Sequence, residues 1–373
     1  MKRIPRPWVF FKFKTKNDSL MIPVYCTYSA FEEIMMFSEE HPALYELLTK
    51  HSGLVLDLSQ EELVQKLPQN IYLKSAYKSR GGLKTKPEFF KALTTNSLSA
   101  DDGTGVIAIL DCDVQKATQI RKQYGILALS KNEMEADGIL PSLQYSWNWQ
   151  KDDKKEYICP SRRAYNGWAA LLRPVTDTIP VSVGNIIISD DYLLNTSNDD
   201  HVAETIVSII QGVLPPTDFI KKVEVLIMAG DSKKTGVIAA VNYPRIDKII
   251  TKLNTLVAQF KPLTIKFGFL THPIEPGKFA EFHERFLIMD YATASSHHGF
   301  LDFQKGIATQ ANDLNYNWAF HNLGNKVNAD LPLKKIKTKL SAIKKLEAVD
   351  RTSFKSSYFK RGHTNIRLLQ NLA

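Results

Sequence analysis

Residues 181–189 read Val-Ser-Val-Gly-Asn-Ile-Ile-Ile-Ser, and the apolar run at their centre predicts a buried strand. Helical spacing follows over 203–214 and ends at Pro215-Pro216, as helices often do. Further strands are predicted at 223–228, 263–270 and 286–289, with a long amphipathic helix at 243–260. Nearly continuous apolar strands that alternate with helices predict a largely parallel sheet covered on both faces.

The region before this unit shows the same alternation on a smaller scale. Strand-like runs occupy 8–13 and 21–26, and a helical stretch over 30–50 is expected to break at Pro42. A strand at 106–110, a helix at 114–124 and a strand at 126–129 predict an N-terminal α/β domain. A polar and Arg-rich region then suggests a boundary, so the predicted domains are 1–175, 176–330 and 331–373.

The predicted fold class is therefore α/β. It comprises a mixed, largely parallel sheet flanked by helices, an N-terminal α/β domain, and a basic amphipathic helix in the tail.

The strongest functional pattern is His-Glu-Arg-Phe-Leu-Ile-Met-Asp at 283–290, with the spacing H-x-R-x4-D. Alternate residues of a strand share one face, so His283 and Arg285 are expected to project toward the same anion. The imidazole could attack phosphorus or protonate a leaving oxygen, while the guanidinium holds the non-bridging oxygens. Asp290 could orient the imidazole. The pattern predicts a phosphodiester site, and a structural His-Arg-Asp network is the alternative.

Small and polar residues follow the motif, and Ser295, Ser296 and His298 are candidate phosphate ligands. The adjacent His297 and His298 would point to opposite faces of an extended chain, so one ion would normally take at most one of them. Neither a metal nor a cofactor is predicted.

Residues 181–325 resemble phospholipase-D-like domains of bacterial proteins, whose signature has Lys where this chain has Arg285. They are also similar to the C-terminal domain that follows microtubule-interacting-and-trafficking modules, through Gly-Phe-Leu-Asp-Phe-Gln at 299–304. The resemblance implies a phospholipase-D-like fold, phosphodiester recognition and a role in bacterial antiviral defence.

The resemblance also implies two such motifs in each active site, whereas this chain has one. Metal-independent hydrolysis of nucleic acid, with a nuclease or phosphodiesterase activity, would then require a homodimer. One alternative is a catalytically silent module that binds nucleic acid or anionic phospholipid. Another is a scaffold subunit whose residues 1–175 contact a protein partner.

The net charge of +9 lies entirely in 331–373, which contains eleven Lys and Arg and only two acids. Such asymmetry favours an anionic partner, and nucleic acid is preferred to a membrane surface. A solvated helix face or loop is the alternative for each basic residue. The candidate nucleic-acid contacts are Lys334, Lys335, Lys337, Lys339, Lys344, Lys345, and Arg80 and Lys84 of a basic glycine-bearing loop.

The three cysteines are odd in number and widely separated, so they form neither a disulfide framework nor a zinc pattern. No apolar run approaches the length of about 18 residues that is needed to cross a bilayer. Lysines interrupt the aromatic stretch after the basic N-terminus, so no secretory signal is expected. These features predict a cytoplasmic protein.

Overall fold

The fold was analysed in a computed structural model of the 373-residue chain. The residues that it describes are 22–40, 44–45, 48–49, 52–80, 82–98, 106–134, 155–159, 168, 172, 184–194, 196–214, 222–231, 243–273, 285–290, 292–296, 299–300, 316–322, 334–335 and 338.

Within these residues, the first sheet (sheet A) has five parallel strands in the order β3-β2-β1-β4-β5. This order is that of a doubly wound α/β sheet. The predicted strands at 21–26, 106–110 and 126–129 are confirmed. The strands of sheet A are β1 Ile22–Cys26, β2 Ser52–Leu56, β3 Lys84–Thr85, β4 Ile107–Leu110 and β5 Leu127–Ser130.

The helices of this unit begin and end where local hydrogen bonds allow. Ser59 and Glu62 form a reciprocal capping box at the start of α2, with Ser59 N–H donating to Glu62 Oε2 at 2.7 Å. Asp113 caps α5, and Gly125 ends it with a φ of 68° that favours glycine. The helices are α1 Tyr28–Met36, α2 Gln60–Lys66, α3 Ile71–Arg80, α4 Pro87–Thr94 and α5 Val114–Tyr124.

The second sheet (sheet B) has seven strands in the order β6-β12-β11-β10-β7-β8-β9. Only β7, β8 and β9 are mutually parallel, and the other neighbours pair antiparallel. The strands are β6 Lys155–Cys159, β7 Asn185–Asp190, β8 Lys222–Asp231, β9 Thr264–Pro273, β10 Arg285–Met289, β11 Ala292–Ser296 and β12 Tyr316–Asn322.

The expectation of a largely parallel second sheet is therefore wrong for its β6-β12-β11-β10 half. Only residues 290 and 291 separate β10 from β11, and so short a connection permits a hairpin but not a parallel crossover. The α/β class holds for the chain, with parallel sheet A and mixed sheet B.

Two helices pack on one face of sheet B. They are α6 Asp199–Val213 and α7 Tyr243–Leu256, within the predicted helical stretches or extending them by a few residues. Their buried side chains, such as Ile206 and Ile249, join Ile188 and Ile227 of the strands in one apolar cluster. Burial of each such aliphatic side chain contributes about 1.5–3 kcal/mol, so this face holds the two helices against β7 and β8.

Strand β6 lies before the predicted boundary at residue 175, yet it pairs with β12 of sheet B. Sheet B therefore draws on a part of the chain that the sequence assigned to the N-terminal domain. Strand β12 was not among the strands predicted from the sequence. In the tail, residues 334, 335 and 338 are helical, whereas the predicted strand at 8–13 lies outside the described residues.

Candidate functional site

The candidate site lies where β10 begins and β7 ends. These strands are antiparallel neighbours, and Phe286 is opposite Ser189, so the next step along the ladder places Arg285 beside Asp190. This edge of sheet B carries the carboxyl ends of the parallel strands β7 to β9. Ligands of open α/β sheets commonly bind at that edge.

Asp190 connects three segments of the chain through its carboxylate. Oδ1 accepts the Tyr192 N–H at 2.9 Å, and Oδ2 accepts the Phe300 N–H at 2.9 Å. The side chain is only 1% exposed. Burial raises the pKa of Asp190, while the two backbone N–H groups and then the charge of Arg285 act in the opposite direction.

Arg285 is the cation of the site. Its Nε lies 3.5 Å from Asp190 Oδ1, and its guanidinium carbon lies 4.9 Å from the centre of the Tyr192 ring. The side chain retains 14% exposure. A guanidinium positioned by a carboxylate and an aromatic face is preorganised to contact an oxyanion, because less side-chain entropy remains to be lost.

The Gly299-Phe300 pair packs against Asp190 and is held from its other side by Trp168. Trp168 Nε1 donates to the Phe300 carbonyl at 2.7 Å, and the two ring centroids are 5.1 Å apart. A Cβ at Gly299 would lie 3.4 Å from Asp190 Oδ2, so the glycine allows a close approach. Gly299 and Phe300 thus lie between Asp190 and Trp168.

Asp290 does not take the role predicted for it. Its Oδ2 accepts the Gly184 and Asn185 backbone N–H groups at 2.6 and 2.8 Å, and Oδ1 accepts Asn185 Nδ2 at 2.9 Å. These contacts lie at the amino end of β7. Asp290 lies five residue steps beyond Arg285, which is roughly 17 Å along a strand. The prediction that Asp290 orients an imidazole beside Arg285 is wrong, because the two residues flank opposite ends of β10.

The remaining motif residues are only partly described. The backbones of Ser295 and Ser296 pair with Phe286 and Arg285 respectively, which brings β11 next to the candidate site. His283 and His298 lie outside the described residues, so their predicted roles stay predictions.

Three of the eight predicted nucleic-acid contacts have side chains that the structure describes. Lys84 is exposed on β3, and Lys334 is exposed in the tail. Lys335 is half-buried, with its ammonium 5.5 Å from the centre of the Phe286 ring. Lys337, Lys339, Lys344 and Lys345 lie outside the described residues, and Arg80 is described only as the last residue of α3.

A second charged cluster lies at the carboxyl edge of sheet A. The Lys131 ammonium lies 2.8 Å from Glu33 Oε2 and 2.9 Å from Asp111 Oδ1. The hydrogen bond from Lys131 lowers the pKa of Asp111. The opposite charges of these groups compensate one another, so the cluster is an ion-pair network that joins α1 to the ends of β4 and β5.

Sequence reasoning missed Asp190, Tyr192 and Trp168. Asp190 could have been found, because it directly follows a buried apolar strand at a position where polar side chains often contact ligands. Trp168 carried no comparable signal, since its partner Phe300 is 132 residues away in sequence.

No protein-family model matches this chain, and no curated protein matches it. Among the described residues, no group of three or more His, Cys, Asp or Glu side chains is arranged to hold a metal ion. Within the same part of the chain, no helix combines the length and apolar character required to cross a membrane.

Proposed function

We propose that the protein binds the phosphodiester backbone of nucleic acid, with Arg285 as the central anion contact. The observation that carries this proposal is the preorganised Arg285, which lies at the ligand-binding edge of sheet B and retains partial exposure. Phosphate oxygens match the planar donor fork of a guanidinium better than they match a single ammonium.

Nucleic acid is favoured over a lipid surface by the position of the basic tail. Lys335 contacts Phe286, which follows Arg285 on β10 and projects from the opposite face of the sheet. The segment that holds the whole net charge of +9 therefore starts against the strand that carries the anion contact. A tail with eleven Lys and Arg and only two acids suits a polyanion with regularly spaced phosphates.

Binding without cleavage is the preferred form of this proposal. A single chain does not bring Asp290 to Arg285, so the three-residue constellation inferred from the motif is incomplete at this site. Metal-independent hydrolysis by a homodimer is the second proposal, and it depends on His283 and Arg285 alone. The phospholipase-D-like resemblance and its setting in bacterial defence support either form.

The two forms are separated by incubating purified protein with labelled single- and double-stranded DNA and RNA in the presence of EDTA. Binding is expected without cleavage. If three phosphates are contacted, the association constant should fall about fortyfold for a duplex and about twentyfold for a single strand between about 50 and 200 mM salt. Uncleaved nucleic acid is expected after incubation with either wild type or His283→Ala.

Cleavage that is lost in His283→Ala would instead establish the dimeric nuclease. Binding to vesicles of anionic phospholipid without binding to any nucleic acid would overturn the nucleic-acid proposal. His283→Ala keeps the basic tail, so a loss of cleavage in this variant could not be attributed to weaker charge attraction by the tail.

A further inference from the structure

The only described cation at the candidate site already faces a carboxylate. Asp190 Oδ1 lies 3.5 Å from Arg285 Nε, and the Asp190 side chain is almost completely withdrawn from water. A phosphodiester that binds Arg285 therefore contacts a guanidinium that already pairs with the buried carboxylate of Asp190. One positive charge then has to serve two acidic groups.

Besides Arg285, the Tyr192 and Phe300 N–H groups stabilise the charged form of Asp190, and the other surroundings supply little further compensation. From its own turn come Asp191, which is buried, and Tyr192, whose ring lies against Arg285. Strand β8 places Ala229 opposite Asp190, and the Gly299-Phe300 pair contributes a backbone N–H. Among the described groups that face Asp190, Arg285 alone is positive and Asp191 adds a second negative charge.

Anion binding and ionisation of Asp190 consequently oppose each other. Burial already raises the pKa of Asp190, and the charge of Arg285 is one of the influences that lower it. When a phosphate takes up part of that charge, the lowering influence decreases and the pKa rises further. Protonation of the carboxyl group then removes one negative charge from the buried site.

We propose that Asp190 competes with a phosphodiester for Arg285. Its carboxylate pairs with the guanidinium until a phosphodiester binds, and it then takes up a proton from solvent. This inference rests on the proposed function. The neutral carboxyl group still has oxygen lone pairs for the Tyr192 and Phe300 N–H groups, so the three segments remain joined. No covalent bond changes, and the proton comes from water or buffer.

The test measures proton uptake by titration calorimetry, using oligothymidylate with the full-length protein in two buffers of different ionisation enthalpy. Thymine and phosphodiester groups keep their charge between about pH 5 and 8, so uptake reports on the protein. Wild type is expected to take up a substantial fraction of one proton per occupied site. Binding should tighten by up to about tenfold for each unit that the pH falls.

Asp190→Asn is expected to abolish this uptake and to flatten the pH profile. Asp290→Asn is the matched control, because it changes another buried carboxylate that accepts backbone N–H groups but lies at the opposite end of β10. It should retain the uptake of the wild type. If Asp190→Asn does not fold, His283→Ala takes its place: uptake that persists in His283→Ala supports Asp190, and uptake that is lost in it would overturn this inference.

Binding without proton uptake would overturn this inference and leave the proposed function standing. Equal uptake by wild type and Asp190→Asn would overturn it too, and would assign the proton to another group such as His283. Failure of both wild type and Asp290→Asn to bind oligothymidylate and every other DNA and RNA probe would overturn the proposed function and this inference together.

Discussion

Replacing Asp290 with alanine is expected to lower the free energy of unfolding by about 4 kcal/mol. The substitution leaves the backbone N–H groups of Gly184 and Asn185 and the Asn185 amide buried without this acceptor. Buried donors that lose their partner cost far more than a solvated hydrogen bond contributes. Equilibrium urea unfolding measures the effect.

Two further variants show whether the carboxylate itself is responsible. Asp290→Asn should cost less than alanine, because its carbonyl oxygen can still accept from the two backbone N–H groups. Glu204→Ala, at an exposed position of α6, should stay within about 0.5 kcal/mol of wild type. A loss below about 1 kcal/mol in Asp290→Ala would contradict the anchoring role.

Replacing Arg285 with methionine is expected to destabilise the protein by about 3 kcal/mol, because the buried Asp190 then loses its counter-ion and has either to carry an unbalanced charge or to take up a proton. Adding Asp190→Asn should recover most of this loss, since the double variant no longer buries the unbalanced carboxylate. Unfolding of both single variants and the double variant completes a double-mutant cycle. Additive losses would show that the two side chains do not form an energetic pair.

The regular elements followed from the sequence where local signals were strong. Ile186–Ile188 lies inside β7, and the helix predicted at 114–124 is α5. Apolar periodicity reports burial, so it located these elements. It does not report strand direction, and the antiparallel half of sheet B depended instead on the two-residue connection between β10 and β11.

The site was predictable only in part, for a related reason. The pattern ending in Asp290 identified β10 and its Arg285, but it grouped residues by distance along the chain. A strand separates its two ends in space, so Arg285 reaches Asp190 and Asp290 reaches Asn185. Partners that lie 95 and 105 residues away cannot be inferred from the spacing of a motif.

The most direct test of phosphodiester recognition by Arg285 is the dissociation constant of labelled oligothymidylate for the Asp190→Asn, Arg285→Met double variant, measured by fluorescence anisotropy. This variant is expected to fold while lacking the guanidinium, so lost binding cannot be attributed to an unbalanced buried charge. Binding is predicted to weaken by about 10- to 100-fold relative to wild type, as expected for loss of a charge-assisted contact. A dissociation constant within about twofold of wild type would contradict the assignment of Arg285 as the anion contact.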